Sequence, residues 1–178
     1  MALKTIKSGS ASISSSCVSP PCDGNAGKGC KAVLNRESVL RIIDANLNRC
    51  REGLRVIEDS LRFVLNDGNL YKKIRAVRHS IDKVLRNIYS DLIEERDSFD
   101  DSGRKMPEVS KKDLQAIVIA NFKRVQESLR VLEEYSKVFI TLESTEFKKQ
   151  RYNAYILEKQ VYLKYRSVLF IKEVCDTC

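Results

Sequence analysis

Residues Asn46–Glu58 read NLNRCREGLRVIE and residues Asn121–Glu133 read NFKRVQESLRVLE, so the chain says one thing twice, 75 positions apart. Asn46 and Asn121, Arg49 and Arg124, Glu52 and Glu127, Leu54 and Leu129, Arg55 and Arg130, Val56 and Val131, and Glu58 and Glu133 are identical pairs, while Gly53 is answered by Ser128. A shared apolar pattern would require only two similar helices. Shared charges are weakly constrained by helix packing, so this repeat points to a paired polar site.

Working outward, Ile43, Leu47, Cys50, Leu54, Ile57, Leu61, Val64 and Leu65 recur by threes and fours, the spacing of one helix face. Asn35 is a good N-cap for that helix, and Asn66–Asp67–Gly68–Asn69 reads as the turn that ends it. A second helix carries Leu70, Ile74, Val77, Ile81, Val84, Leu85 and Ile88 and is expected to reach about Glu95. After the loop RDSFDDSGRKMPEVS, Ser110 and Asp113 form an approximate capping box. The third helix repeats the first stripe with Leu114, Val118, Phe122, Val125, Leu129, Leu132 and Ser136, followed by Phe139. A turn at Glu143–Ser144–Thr145 leads to a fourth, from about Glu146 to Val174, with Tyr152, Tyr155, Ile156, Val161, Tyr162, Tyr165, Val168 and Leu169 as its apolar residues.

The duplication continues into the second helix of each pair. YKKIR at Tyr71–Arg75 is answered by FKKQR at Phe147–Arg151, and Asp82–Lys83 by Glu158–Lys159. Each half is therefore a helical hairpin, and the expected fold is all-α: a four-helix bundle of two duplicated hairpins about a pseudo-two-fold axis. No alternation of β-branched residues argues for a sheet. The expected organisation is a Ser-, Gly- and Cys-rich tail over residues 1–34 and one helical domain over 35–178, with hairpin one at 35–96, a loop at 97–110 and hairpin two at 111–174.

With 178 residues, 43% of them hydrophobic and 31% charged, the chain can bury one ordinary core. No apolar run approaches the roughly 20 residues needed to span a bilayer, and no hydrophobic signal segment precedes the cysteines, so a cytoplasmic protein without membrane contact is expected. The net charge of +8 favours anionic partners. Basic residues alternate with acidic ones along the helices, and neither a basic-aromatic strip nor a helix-turn-helix signal is present, which argues against nucleic acid and for a phosphorylated small molecule. Cys17, Cys22, Cys30, Cys175 and Cys178 lie towards the chain ends, where free thiols and a zinc or disulfide link between the tails are the alternatives.

Two readings compete for the stripe Asn46, Arg49, Gly53 and its copy Asn121, Arg124, Ser128. In one, small Gly53 and Ser128 only allow two helices to cross closely. In the other, the two guanidinium groups grip a phosphate and the amides orient a polar ring. Arg75 and its repeat Arg151 are further anion-contact candidates. His79, the sole histidine, suits hydrogen bonding or packing better than catalysis, since Tyr155 stands at its repeat position. Asp97, Asp100, Asp101 and Gly103 in the loop are candidates for holding Mg²⁺. No nucleotide-binding glycine motif is present.

RIIDANLNRCREGLRVIEDSLRFVLND, IRAVRHSIDKVL and IVIANFKRVQESLRVLEEYSK together resemble the helical domain at the N-terminus of long thiamine-phosphate synthases, which also occurs alone. The resemblance covers about Val39–Tyr162 and does not include the (β/α)₈ barrel of the synthase. It implies a thiamine-biosynthesis protein assigned as an alternative hydroxymethylpyrimidine-phosphate kinase, with ATP and Mg²⁺ as cofactors. On that implication Arg49, Arg124 and loop Asp100 serve the chemistry, while Asn46, Asn121, Arg75 and Arg151 bind substrate. The family loop is matched imperfectly by Arg96–Asp97 and Asp100–Asp101–Ser102–Gly103. Implied partners are a phosphorylated pyrimidine, a thiamine-phosphate synthase and a second copy in a homodimer. A non-catalytic pyrimidine-binding module and a structural oligomeric bundle are the alternatives.

Overall fold

The computed structural model describes residues 34–96, 113–139 and 144–169. These form α1 (Arg36–Asp59), α2 (Gly68–Leu85), α3 (Tyr89–Glu94), α4 (Leu114–Phe139) and α5 (Ser144–Leu169), with a π-helical turn at Ser60–Val64 extending α1. The N-terminal tail, residues 97–112 with Asp97, Asp100, Asp101, Gly103 and Ser110, and the terminal Cys175 and Cys178 lie outside the described residues.

The bundle is all-α and built as the repeat requires. α1 packs most extensively on α4, α2 packs on α5, and each hairpin closes on itself through α1–α2 and α4–α5. Exchanging α1 with α4 and α2 with α5 maps this pattern onto itself. The core is the expected stripe: Ile43, Leu47, Cys50, Leu54, Ile57 and Leu61 face Val118, Phe122, Val125, Leu129 and Leu132, all buried. Among the described residues no helix is long and apolar enough to cross a membrane.

Local signals place the ends. Asn35 caps α1 by accepting from the Ser38 N–H at 2.8 Å, and Asp67 caps α2 by accepting from the Asn69 and Leu70 N–H groups, both at 3.1 Å. The left-handed residue of this turn is Asn66, at φ 51°, a conformation asparagine tolerates better than most residues. At the start of α4 the cap is Asp113, whose carboxylate accepts from the Ala116 N–H at 2.7 Å.

Four expectations need correction. Val64 is exposed although it was placed on the core stripe. The π turn inserts one residue into the helical phase, so Leu65, not Val64, packs against the core. The second helix stops at Leu85 instead of running to Glu95. The chain turns and α3 folds back on α1, burying Leu92 and pairing Arg96 with Asp44 at 2.7 Å. The last helix begins at Ser144, two residues before its expected start. Its expected apolar residues Tyr152, Tyr155, Ile156 and Tyr162 are exposed, whereas Phe147, Gln150, Arg151, Ala154, Leu157 and Val161 are buried. α5 is turned so that Arg151 meets a buried carboxylate of α4, and that ionic requirement overrides the aromatic stripe.

Candidate functional site

The repeated charges separate into three layers. Nearest the core are Glu58 and Glu133, only 1% and 4% exposed. A buried carboxylate is costly unless paired and hydrogen-bonded. Glu58 is met by Arg78 of α2, with Nε at 2.9 Å. Glu133 is met by Arg151 of α5, with Nε at 3.0 Å and Nη2 at 2.8 Å. These partners are not repeat equivalents. Arg75, the counterpart of Arg151, instead donates to the Tyr71 hydroxyl at 2.8 Å and to His79 Nε2 at 3.2 Å on the surface of α2. The position answering Arg78 is Ala154.

The outer layer is Arg55 and Arg130, which bridge the buried glutamates to the half-buried Asp59 and Glu134. Both are ordinary helix-face pairs.

The third layer lies on the α1–α4 seam. Gly53 is buried there because the helices approach closely: a Cβ at this position would stand 2.9 Å from Val125 Cγ2 and 3.2 Å from the Asn121 carbonyl oxygen. Its counterpart Ser128 is also buried, and its Oγ has no hydrogen-bond partner among the described residues. Beside this crossing opens a cavity of about 620 Å³ lined by Arg49 and Glu52 from α1, Arg124 and Glu127 from α4, and Gly53, Val56 and Asn121 between them. Close crossing and polar cleft thus coexist. Sharing the seam leaves room at its edge because one partner is glycine.

The sequence candidates are distributed as follows. Arg49, Arg124 and Asn121 come together in the cleft. Asn46 and Asn121 each donate Nδ2–H to the carbonyl one turn back, Ile42 at 2.9 Å and Ile117 at 2.8 Å, which leaves both side-chain carbonyl oxygens as acceptors. Asn46 is not among the cavity-lining residues. Arg75 and Arg151 lie on α2 and α5 in the pairings just described, outside the cleft. Asp100 lies outside the described residues, and among those described no group of three or more metal-ligating side chains converges.

Two further polar groups lie outside the candidate set: Asp67, read from the sequence only as a turn residue, and Cys50, buried in the core stripe as its spacing requires. Asp67, the α2 cap, also accepts from Lys164 at 2.7 Å and Tyr165 at 2.9 Å of α5. Burial alone would raise its carboxyl pKa, but these bonds and the two capping N–H groups outweigh it and hold the value down to about 2. Cys50 is a free thiol in the core, pushed up to about 12 by burial. The missed signal for the ion pairs was Glu58 itself, a charged residue at core spacing between Leu54 and Leu61.

Comparison with known proteins agrees with the duplicated architecture. The ThiD2 family model matches residues 41–160, which spans both copies of the repeat. The chain is 41% identical over 126 residues to a thiamine-phosphate synthase of Thermosynechococcus vestitus, covering 69% of this chain and 35% of that protein. It is 38% identical over 129 residues to one of Nostoc punctiforme, covering 71% and 36%, and 39% identical over 137 residues to one of Rhodopirellula baltica, covering 73% and 36%. The chain thus spans little more than a third of these relatives, and no solved structure matches it. Because the match takes in both halves, with the α1–α4 seam between them, this helical chain belongs to the ThiD2 family.

Proposed function

We propose that the α1–α4 cleft binds hydroxymethylpyrimidine phosphate and that the chain transfers the terminal phosphoryl group of ATP to it, in the service of thiamine biosynthesis. The observation that carries this reading is the convergence of Arg49 and Arg124, one from each repeat, on a single cavity with Asn121. An oxygen of the substrate's phosphate attacks the γ-phosphorus of ATP; the bond to the β–γ bridging oxygen breaks, and ADP leaves. The acceptor is already an anion, so no strong general base is needed, and positioning with charge neutralisation dominates. Arg49 and Arg124 neutralise the accepting phosphate, and the Asn121 carbonyl oxygen orients the ring. Mg²⁺ entering with ATP would supply charge neutralisation across the transferring phosphates; the described residues offer no dedicated set to hold it, and Asp100 is the loop candidate. Relatives named thiamine-phosphate synthase carry this domain within a chain nearly three times its length, which supports a neighbouring pathway step and a synthase partner; the setting proposed with it is the cytoplasm.

The test is binding and turnover measured together. Calorimetric titration of hydroxymethylpyrimidine phosphate, with and without an ATP analogue and Mg²⁺, is expected to show binding that weakens by roughly 1.5–3 kcal/mol in each of Arg49→Ala and Arg124→Ala. ³¹P NMR of the wild type with ATP–Mg²⁺ is expected to show a diphosphate ester and ADP. Unchanged binding in both variants refutes the shared anion site. Binding without product leaves a non-catalytic pyrimidine-binding module.

A further inference from the structure

We propose that Asn121, seated over Gly53, reads an N–H donor on the ligand's ring and makes the cleft selective for an amino-substituted over an oxo-substituted pyrimidine. This rests on the cleft binding a pyrimidine phosphate as above, and adds which feature of the ring is recognised and by which copy of the repeat. The starting point is a locked amide. Asn121 is only 7% exposed, and its Nδ2 donates to the Ile117 carbonyl at 2.8 Å. That carbonyl can only accept, so the amide cannot turn over without setting two oxygens face to face. Its Oδ1 is thereby held as an acceptor, 3.8 Å from where a Gly53 Cβ would stand. No described residue donates to it. Buried acceptors normally have a donor; this one borders the cavity instead.

The duplication supplies an internal comparison. Asn46 has the same lock, donating to the Ile42 carbonyl at 2.9 Å, yet it does not line the cavity. The two-fold that sets Gly53 against Asn121 sets Ser128 against Asn46, and the buried serine fills space that glycine leaves open. The cleft therefore has one asparagine end, not two. Because α1 and α4 run antiparallel, Arg49, one turn before Gly53, and Arg124, one turn after Asn121, lie in the same direction along the seam. The stretch around them carries charge on both helices, whereas the Gly53–Asn121 seat adds only Val56. One helical turn is about 5 Å, on the order of the reach from a ring to a phosphate on its methylene arm.

The lock is what confers selectivity. An asparagine free to turn over would serve either ring, accepting from an amino group or donating to a carbonyl. Asn121, with its N–H₂ tied to Ile117, can only accept. An exocyclic amino group satisfies Oδ1, while an oxo group at the same place faces it lone pair to lone pair and leaves a buried acceptor unpaired. Gly53 contributes bare backbone, so a flat ring can lie against α1 beneath the asparagine where any side chain would stand in its way.

The experiment titrates three probes by calorimetry: hydroxymethylpyrimidine phosphate, its 4-oxo analogue and inorganic diphosphate. Wild-type protein is expected to prefer the amino over the oxo compound by about tenfold or more, the scale of one hydrogen bond exchanged for an unpaired buried acceptor. In Asn121→Leu, checked for fold by circular dichroism, that preference is expected to fall to about twofold with diphosphate affinity unchanged. Asn46→Leu breaks the same local bond in the other copy and is expected to keep the wild-type preference. Should Asn121→Leu fail to fold, Asn121→Ala removes the same acceptor without added bulk. Retention of the preference in the folded Asn121 variant overturns the inference. So does an equal collapse in Asn46→Leu, which would trace the selectivity to helix packing. Wild type that binds diphosphate without distinguishing the two rings sinks the Asn121 role and leaves the anion cleft standing. Absence of all binding removes both.

Discussion

Arg75 and Arg151 occupy equivalent places in the repeat, yet truncating them is expected to have very different consequences. Arg151→Ala removes both close donors from Glu133, a carboxylate only 4% exposed. Breaking a buried pair by deleting one partner costs about 3–5 kcal/mol. Arg130 at 3.4 Å and Lys137 at 3.8 Å remain near Glu133, so the loss is placed at about 2–4 kcal/mol by the same rule. Arg78→Ala should behave alike, because among the described residues Glu58 then retains only Arg55 at 3.5 Å. Arg75→Ala removes exposed contacts to Tyr71 and His79, and surface changes of that kind stay within about 0.5 kcal/mol. For a domain of this size, about 3 kcal/mol corresponds to a fall in Tm of roughly 6–12 °C. Urea unfolding followed by circular dichroism at fixed pH, run on all three variants, decides the matter. Equal losses from Arg75→Ala and Arg151→Ala would show that the carboxylates are neutralised by repeat-equivalent residues and that the crossed pairing is wrong. The double replacement Glu133→Met with Arg151→Met should recover most of the stability lost by Arg151→Ala alone.

Three other outcomes follow from the same geometry. Asp67 has its folded pKa lowered to about 2 from 3.8, so the stabilisation it provides is complete above about pH 4 and disappears as pH falls through about 2; because the Lys164 ammonium is well exposed, the contribution is discounted to about 1–2 kcal/mol. Urea titrations between pH 2 and 5 should show this increment in the wild type and not in Asp67→Asn. Gly53→Ala gains about 1 kcal/mol of helix propensity but drives a methyl into Val125, an overpacking cost of about 1–3 kcal/mol. A net loss is expected, relieved in the double variant with Val125→Ala, and equal destabilisation with and without Val125 would disprove the contact. Cys50, fully buried with its thiol pushed up to about 12, should react with a disulfide reagent only at the rate of global unfolding; rapid labelling in native buffer would contradict its placement.

The amount legible in the sequence differed by kind of interaction. Apolar spacing fixed which face of α1 and α4 turns inward, because burying Leu47, Leu54, Phe122 and Leu129 is a one-dimensional pattern along each helix. The cap at Asn35 was legible for the same reason, donor and acceptor lying within three residues, whereas Asp67 was legible only as part of a turn and its capping role came from the structure. The pairing of Arg49 with Arg124 in one cleft followed from the duplication, since a two-fold relation brings equivalent positions of α1 and α4 together. The orientation of α5 was not legible. It depends on Arg151 reaching across to Glu133, eighteen residues away on another helix, and its tyrosines imitate a core stripe. The α2–α3 break and the π turn were missed because each is a local shift in phase favoured by tertiary packing, with no proline or glycine to mark it.

The crossed arginines also bear on how such a molecule can diverge after its gene fragment doubles. Hairpin one has guanidinium groups at both candidate positions, Arg75 and Arg78, one turn apart; hairpin two has Arg151 at the first and Ala154 at the second. An ancestral hairpin bearing both would have had a spare, so either copy was free to lose one without ever stranding a naked carboxylate in its interior. Two donors one helical turn apart would thus let a symmetric hairpin pair lose either one in either copy while each buried carboxylate keeps a partner, leaving two halves that no longer substitute for one another.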